Sequence, residues 1–224
     1  MRKKEIAATA ASHRSRRESY HHGRLRDALM QATNEILTER GAEGFTLREA
    51  AKRAGVSPAA PGHHFGSAAG LLTEVAISGF EELTRVLRLA AEMESAPAAR
   101  LRAQGMSYVH FALAYPGRFQ LMFRHDLLLP DNDRLQLAGQ AALRELEASI
   151  RSYLGMGEME AAIGEDAMHA TLLGAWSTVH GFAHLALDGK FTAMARPMSL
   201  PAFVSSVLPQ VLLALWPDRV PCKF

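Results

Sequence analysis

The stretch Gly41-Ala42-Glu43-Gly44-Phe45-Thr46-Leu47-Arg48-Glu49-Ala50-Ala51-Lys52-Arg53-Ala54-Gly55-Val56-Ser57 decides the fold. Thr46 and Glu49 stand three apart at the head of a run of helix formers. That is the spacing of a capping box, in which the hydroxyl serves the amide three residues on and the carboxylate reaches back. It predicts a short helix from Leu47 to Ala54. Gly55 can take the backbone conformation that ends a helix. Ser57 can cap the next one, and Pro58 suits a first helical position because its missing N–H would have had no intrahelical partner. Upstream, Leu25, Ala28, Leu29, Ala32, Ile36 and Leu37 recur at three- and four-residue steps, which place them on one face of a helix ending at Gly41. Three short helices separated by tight turns are the layout of a helix-turn-helix module, whose second helix lies in the major groove of DNA.

Beyond Ser67 the helices lengthen. Leu71, Leu72, Val75, Leu83, Val86 and Leu87 carry one periodic helix to about Met93. Pro97 marks a boundary, and a helix from about Ala98 to Ala114 closes at Tyr115-Pro116-Gly117. Phe119, Met122 and Phe123 read as a short apolar turn, and Pro130-Asp131-Asn132-Asp133 as a loop. Further helices are expected from about Arg134 to Leu154, Glu158 to Leu187 and Leu200 to Trp216. Ala, Leu, Met, Glu and Arg recur throughout, while clusters of Val, Ile, Thr and Tyr between turns are almost absent, so the chain reads as all-α. With 224 residues, 48% of them hydrophobic, it can bury the core of one or two domains. The expected division is a basic flexible arm at 1–19, the helix-turn-helix domain at 20–75 and a larger helical bundle at 76–224.

The formal net charge of +2 hides an asymmetry. Residues 1–26 hold eight basic groups against two acidic ones, and the remainder holds 17 against 21. A basic arm on a near-neutral body suits a polyanionic partner, because each cation docked on a phosphate releases a counterion. It equally suits a solvated tail with no partner. The single cysteine, Cys222, excludes an intrachain disulfide and a Cys-based zinc site, and fits a reducing, cytoplasmic setting. The apolar stretch from Phe203 to Trp216 is interrupted by Ser205, Ser206, Pro209 and Gln210 and falls short of the roughly 20 residues a bilayer span needs. The cluster His13-Arg14-Ser15-Arg16-Arg17 is unlike a secretory signal, so the chain reads as soluble, with neither membrane partner nor export. No Gly-rich phosphate loop, His-Glu-x-x-His run or Gly-x-Ser-x-Gly elbow occurs, and Ser177 near His180 lacks an orienting acid. Neither catalytic residues nor a cofactor is expected.

The module resembles the TetR family of dimeric transcriptional regulators over roughly positions 20 to 80. The likeness rests on Gly41 to Ala51 as quoted, Ala54-Gly55-Val56-Ser57, His64-Phe65 and Leu71-Leu72. Ala51 is small where two helices cross, Val56 plugs a miniature core, and Phe65 anchors the end of the reading helix. The DNA contacts that the resemblance implies fall on Thr46 at a helix N-terminus, where hydroxyl and amide favour phosphate. They fall also on Arg48, long enough to pair with guanine O6 and N7. Ser57, Pro58, Ala59, Ala60, His63 and His64 would present the reading helix to the groove, with Arg14, Arg16, Arg17 and Arg24 of the arm on phosphate. The chain departs from the family at two phosphate contacts: Gly62 stands in place of a tyrosine, and Ala68 in place of a lysine. Pro61 is expected to take a hydrogen bond from the reading helix, and Gly62 to lower its propensity by about 1 kcal/mol.

In the body, Trp176, His180 and Gly181 resemble the Trp-x-x-x-His-Gly signature of one class of TetR-like C-terminal domains, and residues 115–123 resemble a segment of the same class. The resemblance implies a homodimer formed by the last two long helices on a double-stranded DNA operator, and a cavity for a small hydrophobic effector. Met106, Phe111, Tyr115, Phe119, Met122, Phe123, Trp176 and His180 are candidates for its walls. Plain core is the competing reading of each. His180 and His184, four apart, could share a metal, but with no acidic or Cys ligand within a turn a hydrogen-bonded core histidine is the stronger reading, and no metal is expected. The resemblance implies a ligand-responsive repressor. A helical small-molecule-binding or interaction protein of the same fold with weakened DNA binding is the alternative.

Overall fold

The computed structural model describes residues 24–155 and 165–218, and the basic residues Arg14, Arg16 and Arg17 lie outside them. Among the described residues the regular elements are helical, as the composition requires, and no helix is long and apolar enough to cross a membrane. They fall into two compact units. Of the described residues, the first holds 24–75 together with Arg124–Leu129, and the second holds Ala76–Phe123 and those from Pro130 onward.

In the first unit, α1 runs through residues 24–40 and buries Leu29, Ala32, Ile36 and Leu37 at the expected periodicity. A single 3₁₀ turn, Ala42–Gly44, precedes α2 (Leu47–Arg53). The Thr46 hydroxyl accepts from the Glu49 amide at 3.2 Å, which is one half of the capping box. The other half is replaced: the Glu49 carboxylate turns to Arg53 at 3.1 Å, because a nearby guanidinium competes for it. At the far end Gly55, with φ 67°, lets Val56 N–H bond Ala51 C=O and its own N–H bond Lys52 C=O, the Schellman closure of a helix. The third helix differs from expectation. α3 spans Ala60–Phe65 with Ala59 as its N-cap, Ser57 gives only its backbone oxygen to the Ala60 amide, and Pro58 lies in the turn. Pro61, not Pro58, occupies the first turn. Its missing N–H has no intrahelical partner there, so the expected loss of a hydrogen bond does not arise. Arg124–Leu129 joins this unit because Arg124 pairs with Glu43 at 2.9 Å and the Leu129 amide donates to Thr73 Oγ1 at 2.9 Å.

α4 (Ala68–Glu92) begins in the first unit and continues in the second. The second unit adds α5 (Pro97–Ala114), α6 (Pro116–Met122), α7 (Asp133–Leu154), α8 (Glu165–Leu187), α9 (Thr192–Ala195) and α10 (Leu200–Leu215). The apolar turn expected at Phe119, Met122 and Phe123 is instead a helix, initiated by Pro116 at its first positions. The Asn132 side chain accepts from the Leu135 amide and starts α7 one residue before the expected Arg134. The expected start of the next helix at Glu158 lies outside the described residues. α5 is the axis of this unit: Leu101, Val109 and Ala112 are buried along it, and Leu212 of α10 and Val179 of α8 crowd Gly105.

Candidate functional site

The chemistry of the first unit is set by which of its cations are already committed. Arg53 places both terminal nitrogens on Glu39, at 2.9 and 2.7 Å, and its Nε on Glu49. Its hydrogen bonds hold the Glu39 and Glu49 carboxyls below their usual range. This fork ties the end of α2 to α1 and leaves Arg53 no free edge. Arg26 is paired with Glu74, and Arg124 with Glu43 and Asp126. Arg48, by contrast, is exposed on α2 and makes no hydrogen bond or ion pair among the described residues. Lys52 follows one turn later on the same exposed side; the sequence reading passed over it, although the four-residue step from Arg48 would have found it.

On α3 and the turn before it, Ser57, Pro58, Ala59, Gly62 and His63 are exposed, and Ala60 is half-buried. Ala59, Gly62 and His63 follow the three- and four-residue steps of one helix face. His64 does not belong to it: it is half-buried and packs beside Phe65, with ring centroids 6.4 Å apart. Thr46 and Arg24 are exposed, and so is Ala68 at the start of α4. Side chains on the outward face are therefore short, and Arg48 and Lys52 supply its length and charge. A side chain at Gly62 would meet open space, since no heavy atom lies within 4 Å of a Cβ built there.

In the second unit the sequence-derived wall residues separate into groups. Phe119, Phe123, Trp176 and His180 gather in one ring cluster, with His180 4.5 Å from Phe123 and 5.6 Å from Phe119 between centroids. Trp176 meets His180 edge-on at 6.1 Å, and His184 joins at 4.5 Å from His180. Tyr108, which the sequence reading did not single out, completes the cluster: its hydroxyl lies 2.7 Å from His180 Nδ1. Burial pushes the Tyr108 phenol well above its ordinary range, and burial, with His184 a lesser contributor, holds His180 below its own. A neutral pair follows, in which the tautomer of His180 sets which partner donates. Phe111 and Tyr115 form a separate ring pair at 5.4 Å, with the Arg118 guanidinium 4.4 Å over Tyr115, which is 42% exposed. Met122 packs over Gly79 of α4. Met106, two residues before Tyr108, falls on nearly the opposite side of α5, away from the rings.

Two family models match the chain: one described as bacterial regulatory proteins of the tetR family, over residues 29–75, and one described as tetracyclin repressor-like, C-terminal domain, over residues 101–205. No curated relative matches. Among solved structures, a protein of unknown function from Rhodococcus sp. RHA1 is 31% identical, with 88% of this chain and 98% of that one covered and a TM-score of 0.68. The TetR family transcriptional regulator PfmR from Thermus thermophilus is 21% identical over 84% and 96% of the two chains, with a TM-score of 0.60. A tetR family transcription regulator from Shewanella sp. PV-4 is 17% identical over 86% and 96%, also at 0.60.

Proposed function

We propose, because this chain belongs to the TetR family of bacterial regulatory proteins and is a DNA-binding regulator, that it represses transcription as a homodimer on a palindromic operator and is released by a small hydrophobic effector. The observation that carries the reading is Arg48, exposed and uncommitted on α2 beside an outward face of α3 made of short side chains, while Arg53, Arg26 and Arg124 are held by carboxylates. A face of that kind lets the backbone of α3 sit deep in a major groove with one long donor aimed at base edges.

The dimer is supported by the outward residues of α8 and α10. Leu173 is 57% exposed and stands with Ala170, Gly174 and Ser177; Leu213 stands with Ala202, Ser205 and Ser206. The span of α10 holds no charged residue at all, which suits a self-complementary contact. The effector would meet the ring cluster around His180, and a bound conformation that alters the reach of the two reading heads would lower the affinity for successive major grooves. Membership of the Trp-x-x-x-His-Gly class and a cytoplasmic site of action are part of the same proposal.

The test is a mobility shift on the DNA upstream of the gene, with sedimentation at micromolar protein. A dimer that shifts this DNA supports the reading. A monomer, or a chain that leaves all DNA free at low salt, favours the alternative of a helical ligand-binding protein in which the Gly62 and Ala68 departures have removed DNA binding. Two further outcomes are expected. Deleting residues 2–17 removes six cations and one acidic group per subunit. If these residues lie on phosphate, the salt dependence of binding should flatten by up to roughly 0.9 log units per lost contact; an unchanged slope would assign them to a free tail. Gly62→Tyr, which has room at its Cβ, should tighten binding to every sequence by a similar factor, about three- to tenfold for one added phosphate hydrogen bond. Loss of binding would instead mean that the groove comes too close to Gly62 for any side chain.

A further inference from the structure

Gln104 on α5 is 2% exposed, and its amide joins three helices. Nε2 donates to the backbone oxygen of Leu87 on α4 at 3.4 Å and to that of Glu145 on α7 at 3.1 Å. Both partners are acceptors, so the nitrogen must face them and Oε1 must face away; the opposite orientation would set three oxygens against one another. Oε1 is buried, and no donor among the described residues reaches it. A buried amide oxygen left in that state costs stability that an incoming donor restores.

The surroundings decide what that donor can be. One turn further along the same face of α5 stands Tyr108, its hydroxyl engaged by His180 and its ring against Phe119 at 5.6 Å. One turn before stands Leu101, 2% exposed. The charges next to the Gln104 contacts, Arg88 and the Glu145 carboxylate, are spent on each other in an exposed pair at 2.6 Å. An acceptor that shares its helix face with Leu101 and Tyr108, where the charges flanking its partner residues are paired with each other, selects a neutral donor. A carboxylate would bring a second acceptor and an unpaired charge, and an ammonium would bring an unpaired charge. Resting on the ligand-responsive reading above, we infer that Gln104 Oε1 is the hydrogen-bond acceptor of the effector site, and that the effector is a neutral apolar molecule bearing a hydroxyl, an alcohol or a phenol.

Phenol and toluene have nearly the same shape and differ by hydroxyl against methyl, so they isolate this contact. In a site without an acceptor, toluene binds the tighter of the two, because phenol must give up its water for nothing. Titrated against the full chain by ligand-observed NMR, phenol should bind at least about tenfold more tightly than toluene, with benzoate undetected. Gln104→Met, which keeps the length of the side chain and removes the acceptor, should invert the order, and Tyr108→Phe should preserve it. Toluene equal to or tighter than phenol, an order that survives Gln104→Met, or one lost in Tyr108→Phe alone overturns the inference. The comparison on the unsubstituted chain decides even where Gln104→Met fails to fold. Operator release is measured with the same phenol. A phenol preference without release keeps Gln104 Oε1 as a hydroxyl acceptor and overturns its place in an effector site; release by an organic acid with no phenol preference keeps the ligand-responsive repressor and overturns the acceptor.

Discussion

Gly70→Ala should disable the DNA-binding unit and leave the second unit folded. Gly70 is the third residue of α4, its amide held by Ser67 Oγ at 3.0 Å. A Cβ built there overlaps the backbone carbonyl of Phe65, the last residue of α3, whose oxygen also receives the Ser67 amide at 2.9 Å. A side chain could swing aside, but a backbone oxygen cannot. Either α3 moves away from α4 or the first turn of α4 unwinds, and Leu71, Leu72 and Val75 just beyond are at most 4% exposed in the core of the unit. Overpacking of this kind costs about 1–3 kcal/mol, and the rigid partner puts it at the upper end. Helix propensity alone would give the opposite sign, since alanine in a helix is favoured over glycine by about 1 kcal/mol. The two tryptophans, Trp176 and Trp216, both lie in the second unit, so their fluorescence should melt as before while helical circular dichroism shows an earlier loss. A variant that melts like the parent, or at higher temperature, would show that the α3–α4 junction has slack.

That junction also marks what the sequence could and could not disclose. The start and stop of α2 were legible because a capping hydroxyl and a terminating glycine act through contacts within a few residues of themselves, and local chemistry is what a sequence displays directly. The beginning of α3 is displaced because Pro58 and Pro61 are both compatible with a first helical turn, and only the packing of Pro61 into the core selects between them. α6 reads as a turn in the sequence because a seven-residue helix carries too few periods to stand out. The ring cluster was half legible. Trp176 and His180 are neighbours on one helix, but Tyr108 is 72 residues from the histidine that it bonds, and no local pattern announces a partner at that separation. A signal was nonetheless present: Leu101, Gln104, Tyr108 and Phe111 follow three- and four-residue steps, and a polar residue inside such a stripe marks a buried hydrogen-bonding site. Gly70, an isolated glycine ahead of paired leucines in a helical pattern, similarly marks a close approach of backbone.

Arg48→Ala should cost about 1–3 kcal/mol on the specific operator and relax discrimination at one base pair in each half-site, while non-specific binding stays nearly intact. Of the arginines around α2, Arg53 has all three of its guanidinium nitrogens on carboxylates, so it can neither reach DNA nor substitute for a lost neighbour. The face of α3 offers Ser57, Pro58, Ala59 and His63, side chains too short or too apolar to pair with guanine on two edges. Arg48 is then the donor through which bidentate base readout can pass, and its removal should be felt as lost sequence information. Lys52, one turn away, separates the two modes of contact. As a compact point charge it suits phosphate, and Lys52→Ala should weaken binding to all sequences alike and lower the salt slope by about 1. Titrating both variants against operator and scrambled DNA at two salt concentrations checks the pair. A uniform loss with Arg48→Ala would move Arg48 to the phosphate backbone and leave base readout to apolar contacts from α3, in which case His63→Ala becomes the substitution that relaxes specificity.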